Sequence, residues 1–348
     1  MGSMSTRTSV ILVSYNSRVD LMQCLPSLIP SLSPLDEIIL VDNASPDLTA
    51  KWIAQNYPQV HLICSSDNLG YGGGGNLGAR FANGRYLAFL NPDTLVEPGW
   101  LDALITALES EPKTGLVTPK ILLLNKPDRI NTCGNDMHIS GITLCRGLGQ
   151  SRNDFSEQEE VSAVSGTAFV IRKDLFTDLE GFDEHFFMYM EDTDLSLRAR
   201  LGGYRCLYIP ESIVHHDYTL TFGAKKTFYQ ERNRYLMLLK CFHGSTFLVL
   251  LPTLLLAEVV TWGFSLSHDW RHLNNKILAY LWVIQHWKEI IQEKQRIQAH
   301  RQVSDRDLLR STHHRLEYEQ TVTGLIPTLT HVLFDPFFFI FQKFALIF

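Results

Sequence analysis

Cysteine is scarce and scattered in this chain, six residues at positions 24, 64, 133, 145, 206 and 241, and no two form a C-x-x-C pair. That argues against a zinc or dithiol redox centre, and a chain of 348 residues does not need a disulfide framework to hold a core. The thiols suit a reducing cytoplasm. Basic excess is also missing: the formal net charge is −6, which argues against a broad nucleic-acid-binding face. The N-terminal region carries no secretory h-region. Met1-Gly-Ser reads as an expression remnant ahead of a native Met4, and the apolar run 10–13 as a strand. There is no Gly-Lys-Ser/Thr, so a P-loop is excluded. What remains, 45% hydrophobic and 20% charged, is ordinary for a folded protein. The length fits one large catalytic domain with an appendage, or two domains.

Short apolar runs and helix-spaced stretches alternate over the first third. Strands are predicted at 9–14, 37–41, 60–64 and 86–90, and helices at 21–32, 49–55, through 79–82 and at 100–110. Such alternation predicts an α/β fold with a mostly parallel sheet flanked by helices. Residues 121–160 read as excursions or a short antiparallel hairpin. A strand at 164–172, a short helix at 175–181, a helix through 195–201 and a strand at 206–209 follow. From residue 227 onward helical spacing dominates. The predicted division is 1–240 (a nucleotide half at about 8–120, an acceptor half at about 121–240) and 241–348, a helical, apolar, membrane-associating region. The run 245–266 is long enough to span a bilayer but contains Pro252 and Glu258, so a monotopic or buried helix competes. The stretch 288–310 reads as a charged, solvated helix. The phenylalanine-rich tail 334–348 needs a membrane interface or a partner surface, a homo-oligomer contact being the second option.

In a parallel sheet, ligands bind beyond the carboxyl ends of the strands, which makes the strand ends a roll of candidates. The first gives Ser14, Tyr15 and Asn16, where Tyr15 could stack on a base or the turn could simply cap a helix. The second gives Asp42 and Asn43; Asp42 can accept from a pyrimidine N–H or a ribose hydroxyl, or act as a cap. The third leads into Asn68, Gly70, Gly72 and Asn76. Their glycine run contains G-x-G-x-x-G but follows the wrong strand for a dinucleotide fingerprint, and reads as flexible backbone close to a sugar nucleotide. The fourth gives Asn91-Pro92-Asp93, an Asx turn or a carboxylate for a divalent ion that also binds diphosphate. His215-His216-Asp217 offers another metal ligand or a structural pair. Glu191, Asp192 and Asp194 lie within four positions at the start of a helix, where Asp192 is either a cap or a general base.

Taken in order, the motifs at 13–16, 41–45, 68–72, 76–78, 90–93, 166–169, 181–184, 191–195 and 232–233 resemble the family 2 glycosyltransferases of the GT-A fold, in particular the bacterial rhamnosyltransferase-like branch. The resemblance covers roughly residues 8–240. It implies that Asp42 reads the nucleobase with Tyr15 beside it, and that Asp93 is the metal ligand with Asn91 where the family often has Asp. His215, or its neighbour His216, would complete the shell of Mg²⁺ or Mn²⁺. Asp192 would be the base of an inverting transfer, with Gly166, Thr167, Glu191 and Asp194 positioning or meeting the acceptor. The implied donor is dTDP-L-rhamnose, with UDP-galactofuranose, other deoxysugars and UDP-hexoses behind it. The implied acceptor is a lipid-linked or polysaccharide glycan, and the implied location the inner face of the plasma membrane. A nucleotidyltransferase would want a basic Gly-rich first loop, which 14–17 lacks. An oxidoreductase would place its glycines after the first strand. A non-catalytic glycan-binding membrane scaffold is the reading from another class.

Overall fold

The computed structural model describes residues 6–219, 223–267, 269–320 and 326–347. Met1–Met4 and Phe348, which entered the readings above, lie outside them. Strands β1 (Thr8–Ser14), β2 (Asp36–Asn43), β3 (His61–Ser65) and β4 (Tyr86–Leu90) alternate with helices α1 (Arg18–Leu28), α2 (Thr49–Asn56) and α3 (Gly70–Phe81). The strands pair in parallel in the order β3-β2-β1-β4, and the register sets Ser14 beside Asp42 at the carboxyl edge. Both faces are buried because the side chains alternate. Val10 and Leu12 join one apolar cluster with α1 residues such as Leu21 and Leu25, while Ile11 joins the other with Phe89 and Phe169.

The chain continues through β5 (Thr94–Val96), α4 (Trp100–Ser110), β6 (Thr114–Leu123), β7 (Lys126–Thr132), β8 (Asn135–Met137), β9 (Thr143–Cys145), β10 (Glu159–Glu160), β11 (Ala168–Arg172), α5 (Lys173–Asp178), α6 (Glu191–Leu201) and β12 (Arg205–His216). β11 runs antiparallel to both β4 and β6, so the sheet becomes mixed on this side, and β12 returns parallel to β6. β6 is a buried central strand that Gly115, Pro119 and Lys120 hide from a hydrophobic pattern. Thr118 Oγ1 donates to the Ala168 carbonyl at 2.9 Å, and Lys120 Nζ to the Arg152 and Asp154 carbonyls at 2.7 and 3.0 Å. Thr118 and Lys120 are therefore satisfied inside. β12 opposes Ile209 to Pro119 and Ile213 to Lys120, so residues 210–212 form a bulge that absorbs Pro210. The strand is longer than the predicted 206–209 and includes both histidines.

The glycine run is not flexible backbone; it is the first two turns of α3. A Cβ on Gly74 would stand 2.5 Å from Val13 Cγ1, on Gly75 2.8 Å from Phe182 Cε2, and on Gly78 2.6 Å from Ile11 Cγ2. The helix accepts roughly 1 kcal/mol of propensity loss per glycine and gains close approach to β1. Sequence alone reads four consecutive glycines as a breaker because it contains no term for that approach.

Among the described residues, those within 1–135, 145–199 and 204–218 form one compact unit, and those within 136–144, 200–203 and 219–348 a second. The second contains α7 (Ala224–Cys241), α8 (Gly244–Ser267), α9 (Trp270–Gln285), α10 (Trp287–Ala299), α11 (Asp305–Leu309) and α12 (Ile326–Ala345). α7 packs on α9 and α10, and α8 on α9 and α12. The terminal carbonyls of α7 are capped from the charged stretch: Lys294 Nζ donates to the Phe242 carbonyl at 2.6 Å, and Gln298 Nε2 to Lys240 and Cys241 at 2.9 and 3.0 Å. Inside the unit, Arg234 and Lys276 share Glu231 and Glu258. Arg234 lies 2.8 Å from Glu231, and Lys276 Nζ 3.0 and 3.1 Å from Glu231 and Glu258. Among the described residues α8 is the one helix long and apolar enough to cross a membrane, with a mean hydropathy of 1.9.

Candidate active site

The carboxyl edge of the parallel strands collects the first group of candidates. Ser14 and Asp42 are buried neighbours, and Ser45 ties them together, its N–H 3.4 Å from Asp42 Oδ2 and its Oγ 3.4 Å from the Ser14 carbonyl. Asn16, at φ 60°, donates its N–H to Ser45 Oγ at 3.0 Å, which leaves Tyr15 half exposed above this edge. Asp42 Oδ1 and Ser14 Oγ are buried without a hydrogen-bond partner. Buried polar atoms are nearly always satisfied, so these two, at the strand edge where a parallel sheet binds its ligands, fit a ligand's hydrogen-bonding groups. The asparagines act differently. Asn43 Nδ2 donates to Asn68 Oδ1 (3.1 Å) and the Gly70 carbonyl (2.9 Å), and its Oδ1 accepts from Leu69 N–H at 2.9 Å. Asn68 Oδ1 also accepts from Gly70 N–H at 2.9 Å. Asn76 is bound both ways to Phe182 and to Glu184. These three fasten α3 to its surroundings. Gly72 is buried against Phe182, and a Cβ on Gly70 would strike the Phe187 carbonyl.

The turn between β4 and β5 supplies the second group. Asn91 N–H donates to the Thr167 carbonyl at 2.9 Å, and Thr94 Oγ1 to the Asn91 carbonyl at 2.6 Å, which holds Asn91-Pro92-Asp93 rigid. β12 runs antiparallel to β5 in the register His215–Leu95 and His216–Thr94, so the two histidines point to opposite sides. His215 Nε2 lies 2.9 Å from Glu97; His216 Nε2 lies 3.3 Å from Asp93 Oδ1. Of the two left open, His216 faces Asp93, and His215, the first choice, faces away. His216 Nδ1 is 2.8 Å from Asn131 Oδ1. A proton on Nδ1 donated there leaves Nε2 with a lone pair toward Asp93. Asp93 Oδ1 has no hydrogen-bond partner. A carboxylate oxygen and an imidazole nitrogen so placed fit a divalent ion, which takes the rest of its shell from phosphate and water. Among the described residues no cluster of three or more such ligands occurs.

The third group opens α6. Asp192 Oδ2 accepts from Gly166 N–H at 2.6 Å and Asn135 Nδ2 at 3.0 Å, and its Oδ1 from Thr193 N–H at 2.7 Å and Thr193 Oγ1 at 3.3 Å. Burial raises its pKa and these donors pull it back, leaving a net rise. Glu191 beside it is 7% exposed, and its Oε2 has no partner. Burial first, then the Asp192 charge, lifts it to about 8. Asp194 belongs to the scaffold: its Oδ2 accepts from Arg198 Nε at 2.7 Å, and Arg198 braces the Leu179 and Gly181 carbonyls. The backbone leading into α6 is strained, with Phe187, Tyr189 and Met190 at φ 60°, 68° and 66°. Two residues that sequence reasoning passed over organise this corner. Asn135 holds Asp192. Tyr71 donates its N–H to the Phe187 carbonyl and its O–H to the Gly166 carbonyl, both at 2.7 Å. Burial, then Glu191, Asp192 and Asp93, push the Tyr71 phenol well above its ordinary value. Tyr71 therefore feels the acidic pair and the turn carboxylate together.

Residues 9–179 match the family model for glycosyl transferase family 2. Among curated proteins, the N-acetylglucosaminyl-diphospho-decaprenol L-rhamnosyltransferase of Mycobacterium tuberculosis is 29% identical over 234 residues, 60% of this chain and 75% of that one. Among solved structures, TarS 1-349 of S. aureus in complex with UDP-GlcNAc aligns over 97% of this chain and 90% of its own at a TM-score of 0.55 and 17% identity. GalNAc-T7 with UDP, GalNAc and Mn²⁺ aligns over 68% and 48% at 0.56 and 20%. At those identities the structures share the fold.

Proposed function

The chain belongs to glycosyl transferase family 2 through its residues 9–179, and on that premise we propose an inverting, metal-dependent transfer of L-rhamnose from dTDP-L-rhamnose to a lipid-linked or polysaccharide acceptor. The observation that carries the site assignment is the placing of two strand-end carboxylates, each with a buried oxygen that accepts no hydrogen bond, Asp42 Oδ1 and Asp93 Oδ1, the latter 3.3 Å from His216 Nε2. The rhamnose donor rests on the M. tuberculosis relative. Asp42 and Tyr15 take the base, with Ser14 and Asn16 beside them. A divalent ion held by Asp93 and His216 would neutralise the charge that develops on the departing nucleoside diphosphate. The acceptor oxygen bonds to the anomeric carbon as the bond to diphosphate breaks, and its proton passes to Asp192. Gly166 and Asn135 hold the carboxylate in place meanwhile.

The helical unit fits work at a lipid surface. Leu248, Leu251, Leu255, Val259 and Leu266 form one exposed stripe along α8; Leu329, Val332, Leu333, Phe337, Ile340 and Phe344 form another along α12. Apolar stripes at helical spacing in two packed helices suit a monotopic attachment at the cytoplasmic leaflet, where a lipid-linked acceptor is presented. The test is a binding and donor-hydrolysis panel of dTDP- and UDP-sugars with Mg²⁺ or Mn²⁺. Metal-dependent binding of dTDP-rhamnose, lost in Asp93→Ala and retained without turnover in Asp192→Asn, is expected. Preference for a UDP-sugar would move the donor assignment, and binding of none by folded protein would favour the scaffold.

A further inference from the structure

Glu191 and Asp192 are adjacent, buried carboxyl groups with opposite surroundings. Both oxygens of Asp192 accept from donors, among them two backbone N–H groups, an environment made for a carboxylate. Glu191 has its own backbone amide and no other donor acting on it, and Oε2 is buried with no partner. An ionised oxygen in that position would lack both solvent and a donor. The charges acting on Glu191, from Asp192 and Asp194 on its own helix, are negative; from α3, Tyr71 presents a neutral phenol whose proton is committed to the Gly166 carbonyl. The second carboxyl of such a pair is the one that keeps a proton.

We propose that Glu191 works as a neutral carboxylic acid whose Oε2–H donates a hydrogen bond to a hydroxyl oxygen of a bound sugar, leaving Asp192 the ionised member of the pair. This rests on the reading of the site as one that transfers a sugar. It gives the two carboxyls separate tasks, one accepting the transferred proton and the other orienting a sugar. Loss of the Glu191 proton sets the alkaline limit of activity, in the region of pH 8 that its burial and the Asp192 charge dictate.

The experiment compares the full chain with Glu191→Gln, Glu191→Ala and Asp192→Asn. Difference infrared spectra of wild type against Glu191→Gln should contain the C=O stretch of a protonated carboxyl at neutral pH that disappears on raising the pH. Its absence overturns the proposal, whether or not any donor is turned over. Turnover of dTDP-rhamnose should survive in Glu191→Gln within about threefold and lose its alkaline limb, because an amide also donates. It should fall about tenfold or more in Glu191→Ala, which donates nothing. Equal affinity of Glu191→Ala and wild type for dTDP-rhamnose would place the partner hydroxyl on the acceptor; weakened affinity, with dTDP binding intact, would place it on the donor. Glu191→Gln as inactive as Asp192→Asn overturns the neutral role. Full activity in Asp192→Asn would overturn the underlying site reading instead, with the infrared band still in place.

Discussion

At the scale of single residues, Asp192 is governed by hydrogen bonds that cross long stretches of sequence. The bond from Asn135 spans 57 positions, and that from Tyr71 to Gly166 spans 95. Asn135→Ala removes one of the donors that favour the carboxylate. The acid limb of the turnover profile should therefore move to higher pH, with turnover at neutral pH reduced about three- to tenfold; a pH series of donor consumption checks this. Glu191 acts on stability in the opposite sense to a salt-bridged carboxylate. Its folded pKa of about 8 lies above the ordinary 4.5, so the folded state binds the proton more tightly, and stability falls as pH rises between those values. Glu191→Gln removes that slope. Its stability relative to wild type should climb from pH 5 to pH 8 in urea unfolding, and a flat difference would refute the assignment. The positions of Asp42 and Asp93 at strand ends were legible because the alternation of apolar runs and helices marks where each parallel strand stops. Tyr71 and Asn135 were not, because nothing local distinguishes them until the chain is folded.

At the scale of elements, glycine carries opposite meanings in two helices. In α3 the glycines admit β1 to van der Waals contact, and Gly78→Ala forces its Cβ against Ile11. The gain of about 1 kcal/mol in helix propensity is outweighed by an overpacking cost of roughly 1–3 kcal/mol, so the variant should unfold at lower urea. Gly263 lies within α8 with nothing near its absent Cβ. Gly263→Ala should stabilise by about 0.5–1 kcal/mol, so urea midpoints of the pair moving in the same direction would contradict this account. The same elements separate what pattern could reveal from what it could not. β1, β2 and β4 are apolar on both faces and declare themselves. β6 carries Gly115, Pro119 and Lys120 because a bulge and distant carbonyls accommodate them, and α3 is helical against its own propensity.

At the scale of the molecule, the formal charge of −6 gives no general attraction to anionic lipid, so the proposed attachment would fall to apolar area. Replacing Leu255 and Val259 on α8, and Phe337 and Ile340 on α12, with glutamate should abolish co-sedimentation with lipid vesicles. Nucleotide-sugar binding should be retained, because none of the four belongs to the unit that holds the residues proposed to bind the donor. Vesicle binding that survives all four changes would leave those stripes to a second copy of the chain, detectable as a concentration-dependent mass.

The bulge in β12 also makes the site a matter of counting. Three residues, 210–212, stand opposite no partner between Ile209 and Ile213, an odd number, and side chains alternate with period two. Remove one of them while Ile209 stays opposite Pro119, and the downstream run is drawn back by one place. His216 then points where His215 pointed, toward Glu97, and Asp217, whose N–H already donates to the Asp93 carbonyl at 3.0 Å, takes the place of His216 and turns its carboxylate to that of Asp93. Remove two and the parity returns, with Tyr218 brought to the position of His216. Across relatives, this stretch should therefore tolerate changes of letter far better than changes of length.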